Sequence, residues 1–193
     1  SLNYQLPVLD EINAPVTIIP KAVELSASRI YDGGIDLTGR DVTITTGVGT
    51  ETLSYSGATV NSKDVAFANK FIDSITLGDA TDGSGGLASN YQLKTLDAIN
   101  APATILAKTV SLSASRIYDG SVDLSGADVS IITGVGSETL FYSSASSSSK
   151  DVAVSNKYID AITLENALDG SGGLSSNYQL PALDRITAPV TIG

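Results

Sequence analysis

Apolar and polar residues alternate along this chain with a period of two. Val23, Leu25 and Ala27 face one way with Glu24 and Ser26 between them, and Val42, Ile44 and Thr46 alternate with Thr43 and Thr45. That alternation, carried by Val, Ile, Thr and Tyr, predicts half-buried strands rather than helices. Turn signals interrupt the runs about every ten residues: Tyr31-Asp-Gly-Gly34, Thr38-Gly-Arg-Asp41, Gly47-Val-Gly49, Asn61-Ser-Lys-Asp64 and the loop from Gly78 to Ser89. The pattern predicts strands near 16–28, 34–37, 41–46, 51–59, 64–68, 70–77 and 90–96, with no helix. Such spacing points to an antiparallel sandwich or barrel.

The same pattern is then written a second time. Asn-Tyr-Gln-Leu begins at Asn3, Asn90 and Asn177, so both intervals are 87 residues, and Ser26 to Gly33 returns as Ser113 to Gly120. Aligned in this register, about two thirds of positions 16–102 are identical to their partners in 103–189. A period this long is a whole small domain, whereas solenoid repeats run roughly 20 to 50 residues. The expected architecture is all-β, with two tandem Ig-like or Greek-key β-sandwich domains joined end to end with little or no linker. The expected divisions are 1–15 as the terminal strand segment of a preceding repeat, 16–102 as the first repeat and 103–193 as the second. The surplus N-terminal segment is expected to cover the first repeat's pole or an edge strand, because bare edges invite aggregation. Asn90 to Ser113 contains no Gly/Ser linker, so the repeats should be held in a fixed relation.

Composition narrows the function classes. The net charge of −10 and the absence of a basic stripe exclude attraction to a nucleic-acid backbone. The chain has no His, Cys, Met or Trp, which removes imidazole bases, thiolates, disulfides and every common transition-metal ligand except carboxylate. Serines are plentiful, but no histidine exists to activate one, and no enzymatic activity is expected. No run approaches the roughly 18 to 20 apolar residues of a membrane span, so membrane insertion is not expected.

Three sets of residues stand out as candidate chemistry. Tyr31 and Asp32, with Tyr118 and Asp119, set an aromatic ring beside a carboxylate as sugar-binding clefts do. The competing account makes Asp-Gly a turn while the ring fills the end of the core. Asp79, Asp82 and Asp169 lie in the Asp-Gly-Ser-Gly-Gly loops and are the candidate calcium ligands. One or two carboxylates per loop is few for an ion that takes six to eight oxygens, so no cofactor is required. Lys21, Lys63 and Lys70, with their partners 87 residues on, raise the option of a Lys-to-Asn isopeptide bond, which needs a buried lysine.

The order of motifs resembles a known family. Lys-x-Val-x-Leu-Ser-Ala-Ser-Arg-Ile-Tyr-Asp-Gly, Gly-Val-Gly-Thr-Glu-Thr-Leu and Asp-Gly-Ser-Gly-Gly-Leu-Ala-Ser-Asn-Tyr-Gln-Leu follow one another as in the YDG repeat, over about 18–96 and 105–183. That repeat occurs in tandem in large bacterial surface adhesins and filamentous-haemagglutinin-like exoproteins. One departure is Val65-Ala66 and Val152-Ala153, where the family tends to carry Val-Gly, so a regular strand is expected there. The resemblance implies a β-sandwich extender of a secreted or surface-anchored, extracellular adhesin serving cell adhesion or biofilm formation. Its partners would be neighbouring repeats of the same polypeptide, and no catalytic residues transfer. The alternative expectation is a glycan- or protein-binding module that reads a host or surface ligand through the repeated loops.

Overall fold

The computed structural model describes residues 3–193, and its regular structure is almost entirely strand. In the first half the strands are β1 (Lys21–Ala22), β2 (Glu24–Ile30), β3 (Asp36–Leu37), β4 (Val42–Thr45), β5 (Ser54–Val60), β6 (Ile72–Gly78), β7 (Tyr91–Gln92) and β8 (Ala103–Leu106). The second half repeats them as β9 (Lys108–Thr109), β10 (Ser111–Arg116), β11 (Asp123–Leu124), β12 (Val129–Ile132), β13 (Phe141–Ser147), β14 (Ile159–Glu165), β15 (Tyr178–Gln179) and β16 (Val190–Ile192). Short 3₁₀ turns at Ala88–Asn90 and Ser175–Asn177 are the principal helical geometry shared by both copies.

Each half holds two three-stranded sheets and a small two-stranded one. The orders are β4-β2-β8, β3-β5-β6 and β1-β7, mirrored as β12-β10-β16, β11-β13-β14 and β9-β15. Strict alternation of buried and exposed residues along β2 turns Leu25 and Ala27 inward, against Leu37, Ala58, Val60 and Ile72 from the other sheet. Polar Ser26, Ser28 and Glu24 take the opposite face, so the period read from the sequence is the period of burial.

The pairing is not purely antiparallel. β2 runs antiparallel to β4 in the register Ala27↔Val42 but parallel to β8 in the register Ala27↔Ala103, and β10 is parallel to β16 in the register Ala114↔Val190. The closing strand also ties the two sheets together. Ile72 N donates to Ala101 O at 2.9 Å, Ala103 N to Lys70 O at 3.0 Å, and Ala27 N to Pro102 O at 2.9 Å. Pro102 lacks an N–H, and it sits where only its carbonyl is required.

This closing strand corrects several expectations. The predicted single strand over 103–115 is broken at Ala107 and Val110 because its hydrogen-bond partners change: β8 pairs with β2, and β9 pairs with Tyr178–Gln179. Pairing therefore passes from one repeat's sheets to the next at Leu106/Lys108 and not at 102/103. The equivalent residues 16–19 form no strand, and residues 3–19 lie exposed, apart from half-buried Ala14, instead of covering a pole or an edge. The predicted strand over 90–96 contracts to Tyr91–Gln92.

The predicted strand over 64–68 is a turn. Lys70 Nζ donates to the carbonyls of Asp64 at 2.9 Å, Val65 at 2.8 Å and Phe67 at 2.5 Å, which bends the chain around the ammonium group. Asn69 completes the bend with φ of 55°. Lys70 is buried, as an isopeptide lysine must be, but its amine is held by these three carbonyls.

Candidate functional site: the joint between the repeats

A single residue, Ala107, lies between the closing strand β8 and the opening strand β9. Around this crossing, side chains from both repeats interlock. Tyr31 follows β2, whose last residue places the ring at the end of the first core, and it is 1% exposed. Its hydroxyl donates to Glu138 Oε1 at 2.7 Å, while Tyr178 donates to the other oxygen of the same carboxylate at 2.7 Å. The two rings meet edge to face, with centroids 5.5 Å apart and planes at 78°. Such a pair adds about 0.5–1.5 kcal/mol beyond its burial.

A second contact set lies beside the first. Asn177, 0% exposed, accepts from Val65 N at 2.8 Å through Oδ1 and donates to Asp64 Oδ1 at 3.0 Å through Nδ2. Both partners sit on the turn shaped by Lys70. Burial pushes the Lys70 ammonium below the ordinary lysine range, with the Asp64 charge opposing it. Lys63 Nζ stands 5.9 Å over the Tyr31 ring and 3.6 Å from Glu138 Oε1. Lys63 is partly exposed, so this ion pair contributes less than the two phenol hydrogen bonds, on the order of 0–1 kcal/mol. Gly33, at φ of 88°, passes so close that a Cβ there would come within 2.8 Å of Val135 Cγ1.

The electrostatics suit a closed joint. Burial, reinforced by the hydrogen bond to Glu138, raises the phenols of Tyr31 and Tyr178 well above the usual tyrosine range. Both hydroxyls therefore remain protonated donors across neutral pH. The shared carboxylate accepts two phenols from two different repeats, an arrangement that neither repeat could form alone.

The residues singled out from the sequence fall in different places. Tyr31 is enclosed in the joint, whereas Tyr118 is 49% exposed at the far end of the second repeat. Asp32 pairs with Arg29, whose Nη1 lies 2.9 Å from Asp32 Oδ2, and accepts from Gly34 N at 2.9 Å. Arg29 also donates to the carbonyls of Gly34 and Asp36, so the Tyr-Asp-Gly loop is folded around a buried guanidinium. Asp119 repeats this with Arg116 at 2.6 Å and Ser121 N at 2.9 Å. The loop aspartates act as acceptors for their own loops and, for Asp82 and Asp169, for a threonine of a neighbouring turn. Asp79 Oδ1 takes Ala88 N at 2.8 Å, Asp82 takes Ser84 N at 3.0 Å and Thr52 Oγ1 at 2.8 Å, and Asp169 takes Ser171 N at 3.0 Å and Thr139 Oγ1 at 2.7 Å. The Thr139 and Ser171 hydrogen bonds hold the Asp169 carboxyl down to about 2. Asn166, which replaces Asp79 in the second copy, accepts Ser175 N at the same 2.8 Å, so this position needs an acceptor oxygen and not a charge. Among the described residues, no group of three or more His, Cys, Asp or Glu converges as metal ligands would.

Sequence reasoning missed Glu138, Asn177, Asp64 and Val65 as site residues. One signal was available: Asn-Tyr recurs at residues 3, 90 and 177, and the second and third copies seat a tyrosine against a glutamate. No curated protein and no solved structure matches the chain. Residues 99–187 match the family model of the YDG domain, from the turn before the first closing strand to the turn before the second.

Proposed function

We propose that this pair of repeats is a structural extender: a stalk segment of a secreted or surface-anchored bacterial adhesin that supplies length and stiffness. The observation that carries the reading is the joint. One residue separates the strands of successive repeats, and a carboxylate of the second repeat is shared by a tyrosine from each. A flexible tether needs neither feature, and rotation about Ala107 would break the Tyr31–Glu138 hydrogen bond and the Asn177 contacts to Val65 and Asp64. The location outside the cell and the role in adhesion rest on the resemblance of the repeats to those of large surface proteins.

Small-angle X-ray scattering of the chain tests this, in calcium and again in chelator. Two repeats held end to end should give a radius of gyration above roughly 22 Å, against roughly 16 Å for one compact body of this length. The expected profile is extended, rigid and the same in both buffers. A compact profile, or one with the decay of a hinged pair, would sink the reading. The binding-module alternative now depends on Tyr118 and Asp119, since Tyr31 is closed off by Glu138 and Tyr178.

A further inference from the structure

Each repeat is entered and left through strands that lie side by side and point the same way. The chain enters the first repeat through β1 and β2 and leaves it through β7 and β8. Both pairs are parallel, with Lys21↔Tyr91 for β1 and β7 and Ala27↔Ala103 through Ile30↔Leu106 for β2 and β8. The second repeat does the same, with Lys108↔Tyr178 for β9 and β15 and Ala114↔Val190 through Arg116↔Ile192 for β10 and β16. A parallel pair needs a long connection, and here the connection is the body of the repeat. Entrance and exit therefore lie at opposite poles, with β1 starting at one and β8 ending at the other.

That direction governs how a repeat meets a pull on its two ends. Tension draws β2 backward along its own axis and β8 forward along its own, so the two strands would have to slide past each other. Their hydrogen bonds lie across the direction of pull and are loaded together. In the first repeat they include Val23 N to Gln92 O at 3.1 Å, Ala27 N to Pro102 O at 2.9 Å and Tyr31 N to Leu106 O at 2.8 Å. In the second they include Val110 N to Gln179 O at 3.0 Å, Ala114 N to Pro189 O at 2.9 Å and Tyr118 N to Gly193 O at 2.9 Å. Sliding would also drag buried Ile105, or Val190 and Ile192, from the core. The closing strand is bonded on its other side as well, by Ile72 N to Ala101 O at 2.9 Å and Ile159 N to Ala188 O at 2.8 Å.

We infer that each repeat is a tension clamp, whose parallel entrance and exit strands resist pulling in shear, so that the chain holds tensile load along its length without unfolding. Stiffness does not imply this property, since a rod whose terminal strands peel apart would unravel when pulled. A single residue, Ala107, joins the end of β8 to the start of β9, so load leaving one clamp enters the next with no slack between them. The clamp follows from strand direction, and only its use in a stalk rests on the extender reading.

Single-molecule pulling on the full chain tests the clamp. The chain has no cysteine, so engineered thiols fix the points of pull. Ala107→Cys with Gly193→Cys loads β10 and β16 in shear. Ser121→Cys with Gly193→Cys puts both handles at one pole, where Arg116 holds the Ser121 carbonyl and Tyr118 N holds Gly193 O, and peels β16 from its end one bond at a time. Should the thiol at 121 unsettle its loop, Ile117, 85% exposed just after β10, takes its place. Rupture force reports the barrier along the pulled direction and not the equilibrium stability, so one fold should give two forces. At equal pulling rate the shear pair should rupture at several-fold higher force, in a single step on the order of 250 Å, the slack of that stretch of chain. Equal forces in the two directions, or shear rupture in small successive steps, would overturn the clamp. Scattering reads shape at no load, so a compact profile with strong shear rupture would remove the extender and leave the clamp, and weak shear rupture in an extended rod would do the reverse.

Discussion

Tyr31 and Tyr118 occupy the same place in two nearly identical loops, yet one is sealed and the other stands half in water. Their local frames agree: a buried arginine, Arg29 or Arg116, gathers the loop carbonyls and pairs with the aspartate beside the tyrosine. The adjoining turns agree as well, since Lys157 Nζ holds the carbonyls of Asp151, Val152 and Val154 as Lys70 holds those of Asp64, Val65 and Phe67. The difference is what comes next. Tyr31 meets Glu138 and Tyr178, whereas among the described residues none faces Tyr118 in that way. At the opposite pole, the Glu51 carboxylate accepts from Tyr91 alone among the described residues, at 2.5 Å, and Asn90 is exposed where Asn177 is buried. The comparison teaches that each pole is built in full by its own repeat, and that contact adds a partner without remaking the surface.

Tyr31→Ala against Tyr118→Ala is the sharpest way to break this comparison. Removing the buried ring should cost about 3–5 kcal/mol, the range for large aromatic truncations in packed sites, while the change at 118 should stay within about 0.5 kcal/mol. Urea unfolding of the two variants measures both, and equal losses would refute the asymmetry. Asn177→Ala comes next. It strands the Val65 amide and removes a donor from Asp64, so a loss of about 1–3 kcal/mol is expected, against almost none for Asn90→Ala in the same assay.

Alkaline pH offers a third and smaller lever. The Tyr31 and Tyr178 phenols are raised in the folded joint above the value near 10 of an unfolded tyrosine. Their contribution is therefore complete below about pH 10 and is lost as pH rises through the higher folded values, because the unfolded or opened state releases its protons first. Scattering profiles recorded from pH 8 to 11.5 should show the joint loosening only above about pH 10. Tyr31→Phe, which has no ionisable hydroxyl at that position, should flatten part of that dependence.

Much of the fold could be read without coordinates because its signals are local. Period-two alternation placed β2, β4, β5 and β6 close to where they lie, since each strand buries alternate residues whatever its neighbours do. The stretch 64–68 failed for the opposite reason. Its Val and Phe resemble a strand, but its path is set by three carbonyls converging on Lys70, an interaction between residues that alternation does not register. The closing strand failed because β8 is identical in kind to residues 16–19, and the choice between strand and exposed chain depends on whether an open sheet edge lies within reach.

The site was legible only in part. Tyr31 could be named as notable from its triplet, but its partner Glu138 is 107 residues away, and their hydrogen bond exists only once the repeats are stacked. The amino-acid sequence by itself determined the all-β character, the 87-residue repeat and the turns held by Arg29 and Asp97, since these follow from short-range sterics and hydrogen bonding. Tertiary structure alone decided which of the closely similar segments is buried, which of two equivalent tyrosines is sealed and where one repeat's sheets give way to the next. Burial is a property of what lies across the gap, and closely similar stretches of chain can differ in that.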